Sequence, residues 1–199
     1  MYSCVGIKNL KSIVIITSDK CYENNERKKI FTEKDNLGGD DPYSGSKAAS
    51  EIIANAFSKS FLNNVGVATA RSGNVIGGGD YAKDRLIPDI IRSINKNKPI
   101  VLRYPNNTRP WQHVFETLNG YIILGEKLTK NKRKFNGSWN FGPQSSNFSV
   151  EYVTKKLIKT WGINLKIKIT KKINFKEKKY LSLNSQKAKK YLMWKNKWK

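Results

Sequence analysis

Ser12-Ile13-Val14-Ile15-Ile16-Thr17, followed at once by Ser18-Asp19-Lys20, decides the fold. An unbroken β-branched apolar run of strand length is the pattern of a strand buried on both faces of a parallel sheet. Its polar exit places reactive groups at a strand's carboxyl end, where such sheets hold their ligands. A loop rich in Asn, Lys, Asp and Gly (23–41) then leads into Asp41-Pro42-Tyr43, with Asp41 suited to the N-cap and Pro42 to the first helical position. The following helix is expected to reach about Leu62 and to turn Ala49, Ile52, Ile53, Ala56 and Phe57 toward the core. Asn63-Asn64 ends it, residues 65–70 supply a second strand, and a glycine-rich loop occupies 74–80. Strand, helix, strand predicts a right-handed parallel crossover of an α/β sheet.

The second half is more mixed. Helices are expected over 86–94, entered through Pro88, and over 114–128, with Val114, Leu118, Tyr121, Ile122 and Leu124 on the apolar face. Ser149 is expected to cap another helix through Thr160, and a short one is expected near 185–192. Strands are expected at 99–103, at 138–141 closed by Gly142-Pro143, and along alternating Ile163, Leu165, Ile167 and Ile169 as an edge. There is no internal repeat.

The 199 residues carry 38 Lys plus Arg against 15 Asp plus Glu, a formal charge of +23. Such a balance ordinarily raises nucleic acid or an anionic membrane as a partner. Two features weaken that reading. Lys makes up 31 of the basic residues, and the charge is lopsided: +4 over residues 1–100, where 15 basic residues face 11 acidic ones, and +19 over the remainder, where 23 face 4. The lysines of 155–199 are therefore expected to form a solvated face. A single histidine, His113, and two cysteines without C-x-x-C spacing, Cys4 and Cys21, argue against metal and disulfide chemistry. His113 is expected to be structural, and Trp111, Trp139, Trp161, Trp194 and Trp198 to serve packing. No stretch has a membrane span's length of apolar sequence and no secretory leader is legible, so a cytoplasmic protein is expected.

The strongest chemical constellation is Asp41-Pro42-Tyr43-Ser44-Gly45-Ser46-Lys47, a Y-x-x-x-K in the first turns of a helix. Four residues apart, the phenol and the ammonium share a helix face, and a neighbouring cation favours the phenolate, making Tyr43 a usable base. The spacing alone is common. Its context, beside a buried strand ending in Thr17-Ser18-Asp19, makes it a hydride-transfer site for a sugar or alcohol. Gly77-Gly78-Gly79 lacks the G-x-G-x-x-G spacing and is weak evidence for a phosphate loop.

Five ordered motifs are similar to those of the CDP-glucose 4,6-dehydratases, within the extended short-chain dehydrogenase/reductase group of nucleotide-sugar enzymes. They are Thr17-Ser18-Asp19-Lys20-Cys21-Tyr22, the Asp41 to Lys47 stretch, Arg71-Ser72-Gly73-Asn74-Val75-Ile76-Gly77-Gly78-Gly79-Asp80, Asp84-Arg85-Leu86-Ile87-Pro88-Asp89 and Arg109-Pro110-Trp111-Gln112-His113-Val114. Fainter agreement continues at Asn184-Ser185-Gln186-Lys187-Ala188 and Leu192-Met193-Trp194. Lys20 discriminates, since related dTDP-glucose dehydratases typically carry Glu there.

The resemblance implies NAD as cofactor and a CDP-sugar as substrate. Tyr43 would take the proton of the sugar 4-hydroxyl, Ser18 would hydrogen-bond the reacting oxygen, and Lys47 would hold the cofactor ribose. Lys20 would be the base for the C5 proton and Asp19 the acid for the departing 6-hydroxyl. Arg109 and Arg85 would bind the diphosphate, a task suited to a guanidinium's planar fork. Asn74 would contact the diphosphate or sugar, and backbone near 99–101 would line the cytosine.

The fold implied is α/β, the C-terminal part of a Rossmann-type parallel sheet from its fifth strand onward, with a small α+β substrate-binding region. Residues 1–80 would be a remnant of the NAD-binding domain carrying the catalytic groups. Residues 81–199 would be mainly the nucleotide-sugar region, with a Rossmann strand returning near 138–142. The glycine-rich strand-turn-helix that receives the NAD pyrophosphate precedes the matched region in this family. The expectation is therefore a truncated or split enzyme with impaired NAD binding, and as partners a separately encoded N-terminal Rossmann half or a second copy, with neither specific nucleic acid nor membrane. Competing readings are another extended-family epimerase or dehydratase, an inactive fragment, and a basic nucleic-acid-binding protein.

Overall fold

A computed structural model describes residues 1–26, 28–143, 148–170 and 177–198. Its centre is a parallel sheet in the order β1-β2-β7, formed by β1 (Ser12–Ile16), β2 (Gly66–Ser72) and β7 (Gly137–Phe141). The register runs Ser12 to Gly66 and Ala68 to Gly137, so the strands point the same way and their carboxyl ends lie together. Helix α1 (Pro42–Ser60) makes the first crossover, as expected, and α3 (Val114–Lys130) and the short α4 (Lys132–Phe135) precede β7.

Side-chain alternation along the strands assigns the two faces. Ala68, Ala70 and Val14 pack with Leu124, Leu128, Trp139, Phe141 and Trp194 on the side covered by α3 and by α6 (Gln186–Leu192). Val67, Ile13 and Ile15 pack with Leu62, Val65 and Phe57 on the side of α1. Among the described residues β1 pairs only with β2, leaving its other edge open.

Both long helices dock by a face that overlaps only in part with the one their apolar periodicity selects: Phe57 of α1 and Tyr121 and Leu124 of α3 pack as expected, and other positions do not. In α1 the buried positions are Ser44, Ala48, Glu51 and Ala54, whereas Ile52 and Ile53 are 60% and 51% exposed. The reason is polar: Glu51 finds its partners on the sheet. In α3 the buried positions are Glu116, Thr117, Gly120, Leu124 and Leu128, while Leu118 and Ile122 are exposed. Gly120 permits this close approach, because a Cβ there would lie 2.5 Å from the Phe141 ring.

The remaining strands form small two-stranded pairings outside the central sheet. Strand β3 (Val75–Ile76) pairs with β6 (Gln112–His113), and β5 (Thr108–Arg109) pairs antiparallel with β8 (Phe148–Ser149). Strand β4 (Ile100–Leu102) and β9 (Ile167–Ile169) make a parallel pair packed on α2 (Leu86–Asn95) and α5 (Val150–Trp161). The expected edge strand is thus shorter than 163–169, since only its last part finds a partner.

Ser149 caps α5 through a bond from the Tyr152 N–H, and His113 caps α3 through one from the Phe115 N–H. Trp139 and Trp194 are wholly buried, while Trp161 and Trp198 are exposed. Of the lysine-rich face, Lys171, Lys172, Lys176 and Lys199 lie outside the described residues. Lys187 departs from it: half-buried, its ammonium sits 4.1 Å from the Trp139 ring centroid and donates to the Ser138 carbonyl.

Candidate active site

Where β1 ends, the chain makes a 3₁₀ turn over Asp19–Cys21. Ser18 caps it, its Oγ accepting from the Lys20 N–H at 3.2 Å and donating to Asp19 Oδ1 at 3.0 Å. Asp19 is only 3% exposed, and its second oxygen, Oδ2, is buried with no hydrogen-bond partner. The loop after β2 and the turn after β5 close over it. A Cβ on Gly73 would lie 2.9 Å from that oxygen and 2.3 Å from Pro110 Cγ. Burial pushes the Asp19 pKa up to about 7, against the opposing pull of the Ser18 hydrogen bond and the charges of Arg109 and Lys20.

The start of α1 delivers the other groups. Asp41 caps the helix, accepting from the Ser44 N–H at 3.0 Å and the Ser44 hydroxyl at 2.6 Å. Tyr43 is 44% exposed in the first turn. The ammonium groups of Lys20 and Lys47 each stand 5.7 Å from its ring centroid. The structure therefore brings Ser18, Asp19, Lys20, Tyr43 and Lys47 together, although the first three and the last two come from separate segments. An acid poised near neutrality, a phenol and two cations at one strand end suit proton transfer to and from a hydroxyl and its neighbouring carbon.

The expected diphosphate ligands are distributed differently. The Arg109 guanidinium is buried, donating to Glu177 Oε2 at 2.9 Å and to the Thr108 carbonyl at 2.8 Å, and its charge reaches Asp19. Asn74 lies beside β6, its carbonyl accepting from the Gln112 N–H at 3.1 Å. Arg85 is exposed at the start of α2, and among the described residues no hydrogen bond or ion pair joins it to the strand-end cluster.

Sequence reasoning assigns no role to Glu51, Arg71 or Tyr22, yet they form a buried ionic network. Arg71 donates through Nε and Nη2 to the two oxygens of Glu51 at 2.9 and 2.8 Å, and through Nη1 to the Tyr22 hydroxyl at 2.8 Å. Tyr22 in turn donates to Asn140 Oδ1 at 2.7 Å. Burial works to raise the Glu51 carboxyl, but the hydrogen bonds and charge of Arg71, with Thr17 and Thr69, outweigh it and hold the group below the usual carboxylate range. The signal was weak: Arg71 directly follows the expected strand at 65–70, an arginine that such a strand carries inward requires an acid, and Glu51 is the one acid within α1.

A family model described as NAD-dependent epimerase/dehydratase matches residues 1–140. The chain belongs to the NAD-dependent epimerase/dehydratase family. This family member is 44% identical, over 96% of its length, to a CDP-glucose 4,6-dehydratase of Salmonella typhimurium, and spans 56% of that relative. It is 26% identical over 136 residues to a dTDP-D-glucose 4,6-dehydratase of Dictyostelium discoideum. Two solved structures of nucleotide-sugar enzymes share its fold. A Bacillus cereus UDP-glucuronic acid 4-epimerase with UDP-glucuronic acid and NAD superposes at a TM-score of 0.86 with 19% identity, covering 100% of this chain and 60% of that one. A Bacillus anthracis dTDP-glucose 4,6-dehydratase with NAD superposes at 0.81 with 23% identity, covering 94% and 57%. The Rossmann-type reading of the sheet is thus borne out, on a chain that spans 56–60% of the Salmonella relative and of these two solved structures.

Proposed function

We propose that this chain forms the substrate-facing part of an NAD-dependent dehydratase that converts CDP-glucose to CDP-4-keto-6-deoxyglucose, a step of deoxysugar synthesis for surface polysaccharide. The observation that carries the reading is Asp19: a carboxyl buried at a strand end, with one oxygen unpartnered and a pKa of about 7, beside Lys20 and Tyr43. Near neutrality such a group can hold a proton and release it to a leaving hydroxyl. The 44% identity to the Salmonella protein supports the choice of CDP-glucose. Residues 1–80 would carry the catalytic groups and residues 81–199 most of the nucleotide-sugar contacts.

The residues present fit the nicotinamide end of NAD. The Tyr43 hydroxyl and Lys47 ammonium are presented from one helix face beside the strand end, a donor set matched to ribose hydroxyls. NAD, when bound, would accept a hydride from sugar C4 and return it to C6. Tyr43 would withdraw the 4-hydroxyl proton, with Ser18 hydrogen-bonding the same oxygen. The resulting carbonyl acidifies the C5 proton, which Lys20, as the free amine, would remove while Asp19 protonates the 6-hydroxyl leaving as water; when hydride reaches C6, Lys20 would return its proton to C5. Arg109, held in place by Glu177, would face the diphosphate, assisted by Asn74 and Arg85.

The test is turnover of CDP-glucose with NAD, followed by NMR of the sugar, for this chain alone and supplemented with the preceding segment of the Salmonella relative. The expected product is the 4-keto-6-deoxy sugar, with UDP-glucose and dTDP-glucose poor substrates. A C4 epimer as product, or preference for either of the other nucleotides, would overturn the reading.

A further inference from the structure

We propose that Glu51 is a positioning residue for Tyr43 and Lys47: by binding β2, β7 and the residue that follows β1 it sets the rotation and height at which α1 presents the pair. The inference deepens the function proposed above and rests on it for the roles of those two side chains. Tyr43, Lys47 and Glu51 follow one another at intervals of four and so share a helix face. Glu51 is one turn from Lys47 and two from Tyr43, about 6 Å and 12 Å along the axis at 1.5 Å per residue.

The Glu51 carboxylate reaches β2, β7 and the residue that follows β1. Its Oε1 accepts from the hydroxyl of Thr17, just past β1, and from Arg71 Nε on β2. Its Oε2 accepts from the Thr69 hydroxyl and Arg71 Nη2, both on β2, and from the Ser138 hydroxyl on β7 at 3.2 Å. Arg71 extends the anchor to Tyr22, which follows the turn carrying Asp19 and Lys20, and Tyr22 ties it to Asn140. Asn140 donates to the carbonyls of Phe31 and Asn184 at 3.1 and 3.2 Å. One network therefore fixes α1 relative to the sheet and to the loop bearing the other catalytic groups.

Apolar packing cannot supply that orientation by itself at this end of the helix. Ahead of Phe57, which packs on Ile13, Ile15 and Val67 near the far end of the helix, the buried apolar or hydroxyl positions of α1 are small, namely Ser44, Ala48 and Ala54, while its bulky Ile52 and Ile53 face outward. Small side chains offer few knobs to define rotation, and a buried ion pair is a better source of register than of net stability. A misplacement of about 1 Å at a reacting group can cost about 100-fold in rate.

The test compares wild type with Glu51→Gln, using Thr69→Val as a milder second variant and Glu126→Gln, on the exposed side of α3, as control. The primary readout is independent of turnover: nuclear Overhauser contacts between the Lys20 side chain, in the turn after β1, and the Tyr43 ring of α1 in selectively labelled protein. Weakened contacts in E51Q, a smaller weakening in T69V and none in E126Q are expected. Unchanged contacts in a folded E51Q overturn the inference, and if E51Q does not fold, unchanged contacts in T69V do so. Where turnover is observed, E51Q should lower kcat by about 100-fold with KM for CDP-glucose held within about twofold. An absence of wild-type turnover counts against the proposed function, and the Overhauser comparison still decides this inference.

Discussion

Replacing Asp19 by Asn should change how stability depends on pH, in a direction and amount set by the burial of one carboxyl. The native group has a pKa of about 7 where the ordinary value is 3.8, so the folded protein holds a proton that the unfolded chain has released. Stability from this group is complete below about pH 4, declines as pH rises toward 7, and is lost above it. A shift of about three units corresponds to about 4 kcal/mol at 1.36 kcal/mol per unit. About 2.5 kcal/mol of that falls between pH 5 and 8, where most other carboxylates remain ionised. The Asn variant is nearly isosteric and does not titrate, so the difference between the two proteins isolates Asp19. With a urea m-value of about 2 kcal/mol/M, the wild-type midpoint should fall between pH 5 and 8 by about 1 M more than that of D19N. Superimposable pH dependences, or a wild-type midpoint that rises over this range relative to D19N, would refute the assignment of a buried, proton-holding Asp19.

Two further outcomes bear on the fold. Arg71→Met leaves the Glu51 carboxylate buried without its guanidinium and should cost about 3–5 kcal/mol in urea unfolding, far more than loss of an exposed pair such as Lys130–Glu126. Gly120→Ala adds a methyl 2.5 Å from the Phe141 ring and 3.1 Å from Trp194 Nε1, and should destabilise by about 1–3 kcal/mol through overpacking, read as a lowered Tm.

The backbone architecture was legible wherever local signals agree. The β-branched run at 12–17, the Asp41 cap with Pro42 behind it, and the Ser149 cap each mark an element in the place the structure has it. Helix faces were less legible, because hydrophobic periodicity records which positions are apolar and not which neighbour each face meets. In α1 a carboxylate decided the docking and in α3 a glycine did, so Ile52, Ile53 and Ile122 lie exposed despite their apolar spacing.

The site divides in the same way. Local composition carries the chemical types and their spacing: Ser18-Asp19-Lys20 at a strand's end, and Tyr43 four residues before Lys47 at a helix's start. Folding brings Lys20 from one segment to flank a tyrosine of another, and buries Asp19 deeply enough for its proton affinity to reach neutrality. It also pairs Glu51 with Arg71 under the site rather than leaving them solvated. The physical reason is that desolvation and ion pairing depend on which groups the folded chain brings within a few ångströms, a relation that separation along the sequence does not specify.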